Sequence, residues 1–285
     1  AVANQSTADL RWYLFGSNQF GGGVSNAHNG VMAYEHAYQG VEARKAYFFM
    51  GDAMVCMGSG IKAARTQEVR TSVNQCLANG EVTYGLSGHT YRLTNNLSDK
   101  NIDWAYHDNV GYIFPQNESV TLRKAKQTGA WRELEVTASD KPVTKEIFSL
   151  WVSHGTTPQH EDYCYIIMPD KPLSYFTDKK FENEIKIIVN SEQIQAISNE
   201  NKRQYAAVFY EPGEIRFAED LVVTVNKKVI IYIEKKDKQY EIAVADPLYK
   251  EQSLQLSMNG EQINIVFPSG DYSGSSVIKH ITEKH

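Results

Sequence analysis

The chain has 285 residues, 42% of them hydrophobic and 22% charged, with a formal net charge of −5. That length accommodates one large core or two smaller ones. No run approaches the apolar length of a membrane-spanning helix, and the scattered lysines and arginines exclude the clustered basic face of a nucleic-acid binder.

The first residues, Ala1 to Thr7, lack the basic start and apolar core of a signal peptide. Beyond them, short runs rich in Val, Ile, Tyr, Phe and Thr alternate with Gly, Asn, Asp and Pro, the pattern of strands and turns. Such runs include Ala46 to Met50, Tyr112 to Phe114, Phe148 to Val152, Tyr163 to Met168 and Glu184 to Val189. Further runs follow at Tyr205 to Tyr210, Leu221 to Val225, Val229 to Ile233, Tyr240 to Val244 and Ile263 to Phe267. Strict alternation is clear at Leu254 to Met258. Asn79-Gly80, Asn226-Lys227-Lys228 and Asn259-Gly260 read as hairpin turns. Glu35 to Glu42 fits either a short helix or a strand and turn, and Gln193 to Lys202 is polar without a sustained period.

The expected fold is therefore all-β, a large antiparallel β-sandwich region followed by a smaller C-terminal β-sandwich. The boundary is expected near the polar stretch, giving domains of residues 1–190 and 191–285. Cys56, Cys76 and Cys164 lack metal-ligand spacing and are expected as free, mostly buried thiols. No cofactor is expected: Asp52, Asp103 and Asp108 do not form a D-x-D-x-D-G loop, which leaves calcium without a supporting motif.

Six stretches carry a resemblance. They are Lys45 to Asp52 with Val55 to Ile61, Arg70 to Gln75, His107 to Pro115, Leu150 to Gly155, Tyr163 to Pro169, and Ala245 to Leu248. Together, in this order, the sequence resembles the polysaccharide lyases that cleave chondroitin, hyaluronan or xanthan. The resemblance implies three parts: an N-terminal α/α toroid, a central β-sandwich region and a small C-terminal sandwich, of which this chain matches the last two. It also implies an extracellular or periplasmic enzyme that breaks the bond at C4 of a uronic acid by β-elimination. The elimination needs a base for the C5 proton, an acid for the leaving oxygen, and groups that neutralise the uronate carboxylate. In that family the His, Tyr, Arg and Asn of the reaction come mainly from the toroid, and the sandwich adds a cleft-facing loop with a carboxylate.

The corresponding loop here runs from Phe15 to Gly30. The position matching the family carboxylate falls on Asn18, with Glu35 the nearest acid, and Gln19, Asn26, His28 and Asn29 are the candidate substrate contacts. The loop glycines are expected to supply positive φ and close approach to a ligand. His107 and His154 are expected to be structural, and Trp104, Trp131 and Trp151 to be core residues before sugar platforms, Trp151 above all. Glu234 to Lys238 reads as a solvated hairpin tip. The implied partners are an acidic polysaccharide and the toroid of the same precursor, with no nucleic acid and no membrane. The alternatives are a carbohydrate-binding sandwich protein without catalysis, or a sandwich module that only docks to another domain.

Overall fold

The computed structural model describes residues 18–64, 66–116 and 118–282. Among these residues, antiparallel strands form four sheets, stacked here as I to IV. Sheet II is the widest, with nine strands. In spatial order these are β1 (Gly21–Ser25), β2 (Gly30–Tyr38), β3 (Val41–Met50), β4 (Ala53–Ala63), β13 (Glu161–Pro169), β10 (Val110–Ile113), β9 (Trp104–His107), β6 (Val82–Leu86) and β7 (His89–Arg92). Sheet I holds β5 (Arg70–Leu77), β12 (Val143–Ser153), β11 (Val120–Gly129) and β8 (Leu97–Lys100). Sheet III holds β14 (Lys186–Asn190), β15 (Ile194–Asn199), β16 (Gln204–Phe209), β19 (Val229–Lys236), β20 (Gln239–Ala245) and β23 (Val277–Thr282). Sheet IV holds β17 (Gly213–Ala218), β18 (Leu221–Val225), β21 (Ser253–Met258) and β22 (Glu261–Val266). A single α-helical turn among the described residues, α1 (Leu173–Thr177), leads from sheet II toward sheet III.

Three apolar cores separate the layers. Phe148, Leu150 and Val152 of sheet I meet Cys56, Tyr112, Tyr163 and Tyr165 of sheet II. The opposite face of sheet II sends Ala46, Phe48, Val55, Met57 and Ile166 against Ala206, Val208, Ile230 and Tyr232 of sheet III. Sheet III then sends Tyr205, Ala207, Phe209 and Ile231 against Val223, Leu254 and Leu256 of sheet IV. Because side chains alternate across a strand, sheets II and III are buried on both faces. All six residues of β16 are buried for this reason.

Several turns differ from expectation. Asn259-Gly260 does close a two-residue hairpin, with φ of 51° and 84°, as a type I′ turn requires. Asn79-Gly80 and Asn226-Lys228 do not: the first carries the chain from sheet I to sheet II, the second from sheet IV to sheet III. Glu35 to Glu42 is strand and turn, not helix, with Gln39 and Gly40 at positive φ between β2 and β3. The polar stretch at Gln193 contains β15, a buried central strand of sheet III. Two of its polar side chains are paired, Tyr210 donating to Gln195 Oε1 at 2.8 Å and Asn199 Oδ1 accepting the Lys202 N–H at 3.1 Å, while the buried Ser198 hydroxyl has no partner.

Glu118 lies buried in the connection before β11, where its Oε1 accepts the Cys164 N–H at 2.8 Å and its Oε2 has no partner. Burial pushes its carboxyl from 4.5 up to about 7. Because the folded value lies above the unfolded one, the native state binds the extra proton between these pH values, and stability falls as pH rises through them. Glu118→Gln is therefore expected to raise stability at about pH 8 by roughly 1–3 kcal/mol and to leave it unchanged below the unfolded carboxyl value. Urea unfolding at the two pH values measures both effects.

Candidate functional site

The predicted loop becomes the β1–β2 hairpin at the edge of sheet II; Phe15, Gly16 and Ser17 lie outside the described residues. Phe20 anchors its start, buried with its ring 4.7 Å from that of Tyr210. The glycines serve packing: none of Gly21, Gly22, Gly23 and Gly30 has positive φ. A Cβ on Gly23 would stand 2.9 Å from the Val31 carbonyl, one on Gly30 2.7 Å from that of Val24, and one on Gly22 3.3 Å from Pro247 Cα. Backbone contact with the protein's own chain accounts for Gly22, Gly23 and Gly30.

The hairpin separates the candidate residues. Asn18 and Gln19 are exposed just before β1, and Asn26, His28 and Asn29 form the turn after it. Five strand residues, about 17 Å of extended chain, lie between the groups. Asn26 is buried, with Oδ1 accepting the N–H groups of His28 (3.2 Å) and Asn29 (2.9 Å). Its Nδ2 donates to Glu241 (2.8 Å) and Glu234 (3.1 Å) of sheet III. That amide is fully engaged in holding the hairpin to the neighbouring sheet. Asn29 Oδ1 accepts the Gly51 N–H at 2.9 Å, and His28 is exposed at the tip.

Asn18 and Glu35 do come together. Both line a polar cleft of about 260 Å³ with His36, Arg44, Lys62 and Glu192. Glu35 is held by Arg44 at 3.6 Å, and the Arg44 guanidinium lies 5.1 Å over the Tyr210 ring.

Beside this cleft, one face of β2 and β3 forms a partly exposed shelf. Alternate residues Met32, Tyr34 and His36 pair in register with Tyr47, Lys45 and Ala43 on the same face. Tyr34 and Tyr47 stack at 6.4 Å, and the outermost apolar side chains, Met32 and Phe49, are 46% and 43% exposed. Burial, then the Lys45 charge, lowers His36 to about 4. The same two causes lower His154, 2.8 Å from Thr71 Oγ1, to about 4. Both imidazoles are neutral near pH 7. Burial also lowers the Lys45 ammonium and raises the Tyr47 hydroxyl. The period-two spacing of Tyr34 and His36, and of Lys45 and Tyr47, is the signal that would have exposed this shelf in the sequence.

The other aromatic candidates divide. Trp104 is buried, and Trp131 is exposed between β11 and β12. Trp151 is not a core residue: it projects from the outer face of sheet I, with the Arg70 and Arg123 guanidiniums 4.6 and 5.9 Å from its ring. Burial of Phe148, Leu150 and Val152 on one side of β12 sends Trp151 to the other. His107 accepts the Asn79 N–H at 3.0 Å and stacks on Phe148 at 4.3 Å. All three cysteines are free. Among the described residues no cluster of His, Cys, Asp and Glu gathers that could hold a metal, and no helix is long and apolar enough to cross a membrane.

A nine-stranded sheet shared between two cores, joined to a further pair of sheets, defines a super-sandwich with a smaller β-sandwich behind it. The chain belongs to polysaccharide lyase family 8: residues 2–180 match its super-sandwich domain and residues 186–255 its C-terminal β-sandwich domain. It is 31% identical over 277 residues to chondroitinase-AC of Pedobacter heparinus, covering 93% of this chain and 39% of that protein. It is 25% identical over 245 residues to a hyaluronate lyase of Thermasporomyces composti, covering 83% of this chain and 30% of that one. A solved chondroitinase AC lyase, studied in oligosaccharide complexes, superposes with a TM-score of 0.86 at 28% identity, over 93% of this chain and 40% of that one. A Paenibacillus xanthan lyase shares the fold at a TM-score of 0.82 and 19% identity, over 94% of this chain and 29% of that one. The chain thus spans about two fifths or less of the length of these relatives.

Asn26→Asp would set a third carboxylate against Glu234 and Glu241. It is expected to cost roughly 2–3 kcal/mol at neutral pH, in part recovered on acidification; denaturant midpoints for both proteins at two pH values measure it.

Proposed function

We propose that this chain is the β portion of a polysaccharide lyase that cleaves uronate-containing glycosaminoglycans, of the chondroitin sulfate or hyaluronan type, by β-elimination. The observation that carries this reading is the family membership of a chain that covers only 39% of its chondroitinase-AC relative. The groups that abstract the C5 proton and protonate the leaving oxygen then reside on an α/α toroid of the same polypeptide, and the β-sheets form the other wall of the cleft. Asn18 and Gln19 contact the polymer at one end of the β1–β2 hairpin and His28 and Asn29 at the other, with Asn26 fixing the hairpin between them. Arg44 and Lys62 line the cleft with Asn18, held by Glu35 at 3.6 Å and Glu42 at 2.8 Å, and they are the cationic donors there for the carboxylate that must be neutralised as the enolate forms. A substrate of polymer size places the enzyme outside the cytoplasm, in an extracellular or periplasmic setting.

The test is the ultraviolet absorbance of the unsaturated uronate product. The chain alone is expected to give no turnover of chondroitin sulfate or hyaluronan, and a polypeptide joining it to its toroid to give turnover on at least one. In that longer protein Asn18→Ala is expected to lower kcat/KM about tenfold, equal to ~1.4 kcal/mol of transition-state stabilisation. Turnover by the chain alone would overturn the division of labour.

A further inference from the structure

The cations of the Asn18 cleft are already engaged, Arg44 by Glu35 and Lys62 by Glu42. A cation without such a partner stands outside it, on the outer face of sheet I. Trp151 projects there from β12, which β5 and β11 flank. Arg70 of β5 and Arg123 of β11 reach it from either side, with Cζ 4.6 and 5.9 Å from the indole centroid. Arg70 also donates to Glu68, which precedes β5. Arg123 is exposed and has no ion-pair or hydrogen-bond partner among the described residues. The strands themselves add no acid to this face. Their outward positions alternate with the buried ones and hold Arg70, Arg123 and Lys145, but no Asp or Glu. Glu146, the acid of β12, falls on the opposite side, 3.6 Å from Lys124.

Two features turn this patch toward a charged polymer. The first is how the arginines are held. A guanidinium within about 6 Å of a tryptophan centroid is attracted to the ring, and stacking leaves its N–H fork free for an oxyanion. The Trp151 indole N–H is itself sealed from solvent, so the half-buried ring serves as a support and not as a donor. One ring flanked by two guanidiniums spaces two such forks, which suits repeated charges more than a single ion. The second feature is continuity. Arg70 lines a small cavity with His36, Lys45 and His154, and His36 lines the Asn18 cleft as well. Cationic side chains thus run from the cleft, through Lys45 and Arg70, to Arg123.

We propose that Arg123 and Arg70, held by Trp151, form an anchoring site outside the cleft for the carboxylate or sulfate groups of an acidic polysaccharide. The class of ligand rests on the function proposed above. Arg123 takes one oxyanion of the polymer, and Arg70, beside its Glu68 partner, takes a second. The site binds without catalysis. A polymer long enough to reach from the cleft to β11 gains a second hold through its raised effective concentration, and a short oligosaccharide does not.

The experiment is calorimetry on the full 285-residue chain with size-matched hyaluronan and chondroitin sulfate, and with dextran as the neutral polymer. At least one acidic polymer is expected to bind, more weakly as salt is added, and dextran not at all. Hyaluronan carries carboxylates alone, so its binding assigns the oxyanion to the carboxylate; binding of chondroitin sulfate alone assigns it to the sulfate. Arg123→Gln, at an exposed position, is expected to weaken binding about fivefold, the scale of an exposed charged pair. Trp151→Leu keeps both cations and is expected to weaken binding comparably, with a less than additive loss in the double variant. No binding of either acidic polymer, equal binding of dextran, or unchanged affinity in Arg123→Gln would overturn the anchor. Should Trp151→Leu not fold, Arg123→Gln still decides it. The lyase reading fails or stands on a separate readout, the unsaturated uronate released by the longer protein. Turnover there, with binding that ignores Arg123, removes the anchor alone; binding that needs Arg123, with no turnover, removes the lyase reading alone.

Discussion

Burial of the middle layers on both faces is the constraint on which the rest of the structure depends. In β4, Val55 and Met57 enter the core shared with sheet III, and Cys56 and Ile61 enter the core shared with sheet I. A strand in that position has no solvent face to carry polar side chains, so β4, β13, β16 and β19 read as near-continuous apolar runs. Antiparallel sheets with one wet face alternate instead, as β21 of the outer sheet IV does with its buried Leu254, Leu256 and Met258. Close packing across two interfaces also decides where glycine is needed. A Cβ on Gly58 would stand 2.1 Å from the Tyr163 ring, and one on Gly111 1.9 Å from Phe176.

A polar group buried unpaired in these layers costs about 1–3 kcal/mol. The seam between sheets II and III limits that cost with a short network. Ser59 donates to the Ser191 carbonyl at 2.8 Å, and Asn190 Nδ2 donates to the Gly58 and Tyr163 carbonyls at 3.1 Å each. Gln195 Nε2 donates to Asn190 Oδ1 at 2.8 Å. At the rim His160 and Glu192 pair at 2.6 Å. The super-sandwich and the smaller sandwich are thereby fixed in one relative orientation, and Asn26 repeats the device at the hairpin. The edge that carries Asn18 is set by contacts with both units.

This double burial separates what was legible in the sequence from what was not. The all-β class and the run of strands were legible because β-branched and aromatic clusters alternate with turn residues. The polar stretch at Gln193 read as a break, since side-chain chemistry alone does not reveal that Tyr210 and Asn190 are waiting to pair with Gln195. Trp151 read as core because its strand is apolar, yet Leu150 and Val152 already fill the inner face. Asn79-Gly80 read as a hairpin because the dipeptide fixes a local bend; which sheet the next strand joins is a long-range matter. At the hairpin, the separation of Asn18 and Gln19 from Asn26, His28 and Asn29 was not legible, for it depends on residues 21–25 forming an extended strand and not a loop.

The electrostatics of the shelf bear on which part of a lyase reaction such a surface can serve. A general acid must hold its proton at the working pH, and imidazoles brought down to about 4 do not. A neutral imidazole can accept a proton, but His154 already meets Thr71, and the cationic Lys45 opposes a second positive charge next to either ring. On the proposed reading the part of the shelf is then not to transfer a proton but, through Lys45, to hold a polyanion and damp its charge. Lys45 illustrates how the fold supports that role. The chain keeps an amine on a partly desolvated face between two tyrosines, where each unit of anionic charge that arrives is felt more strongly than it would be in open water.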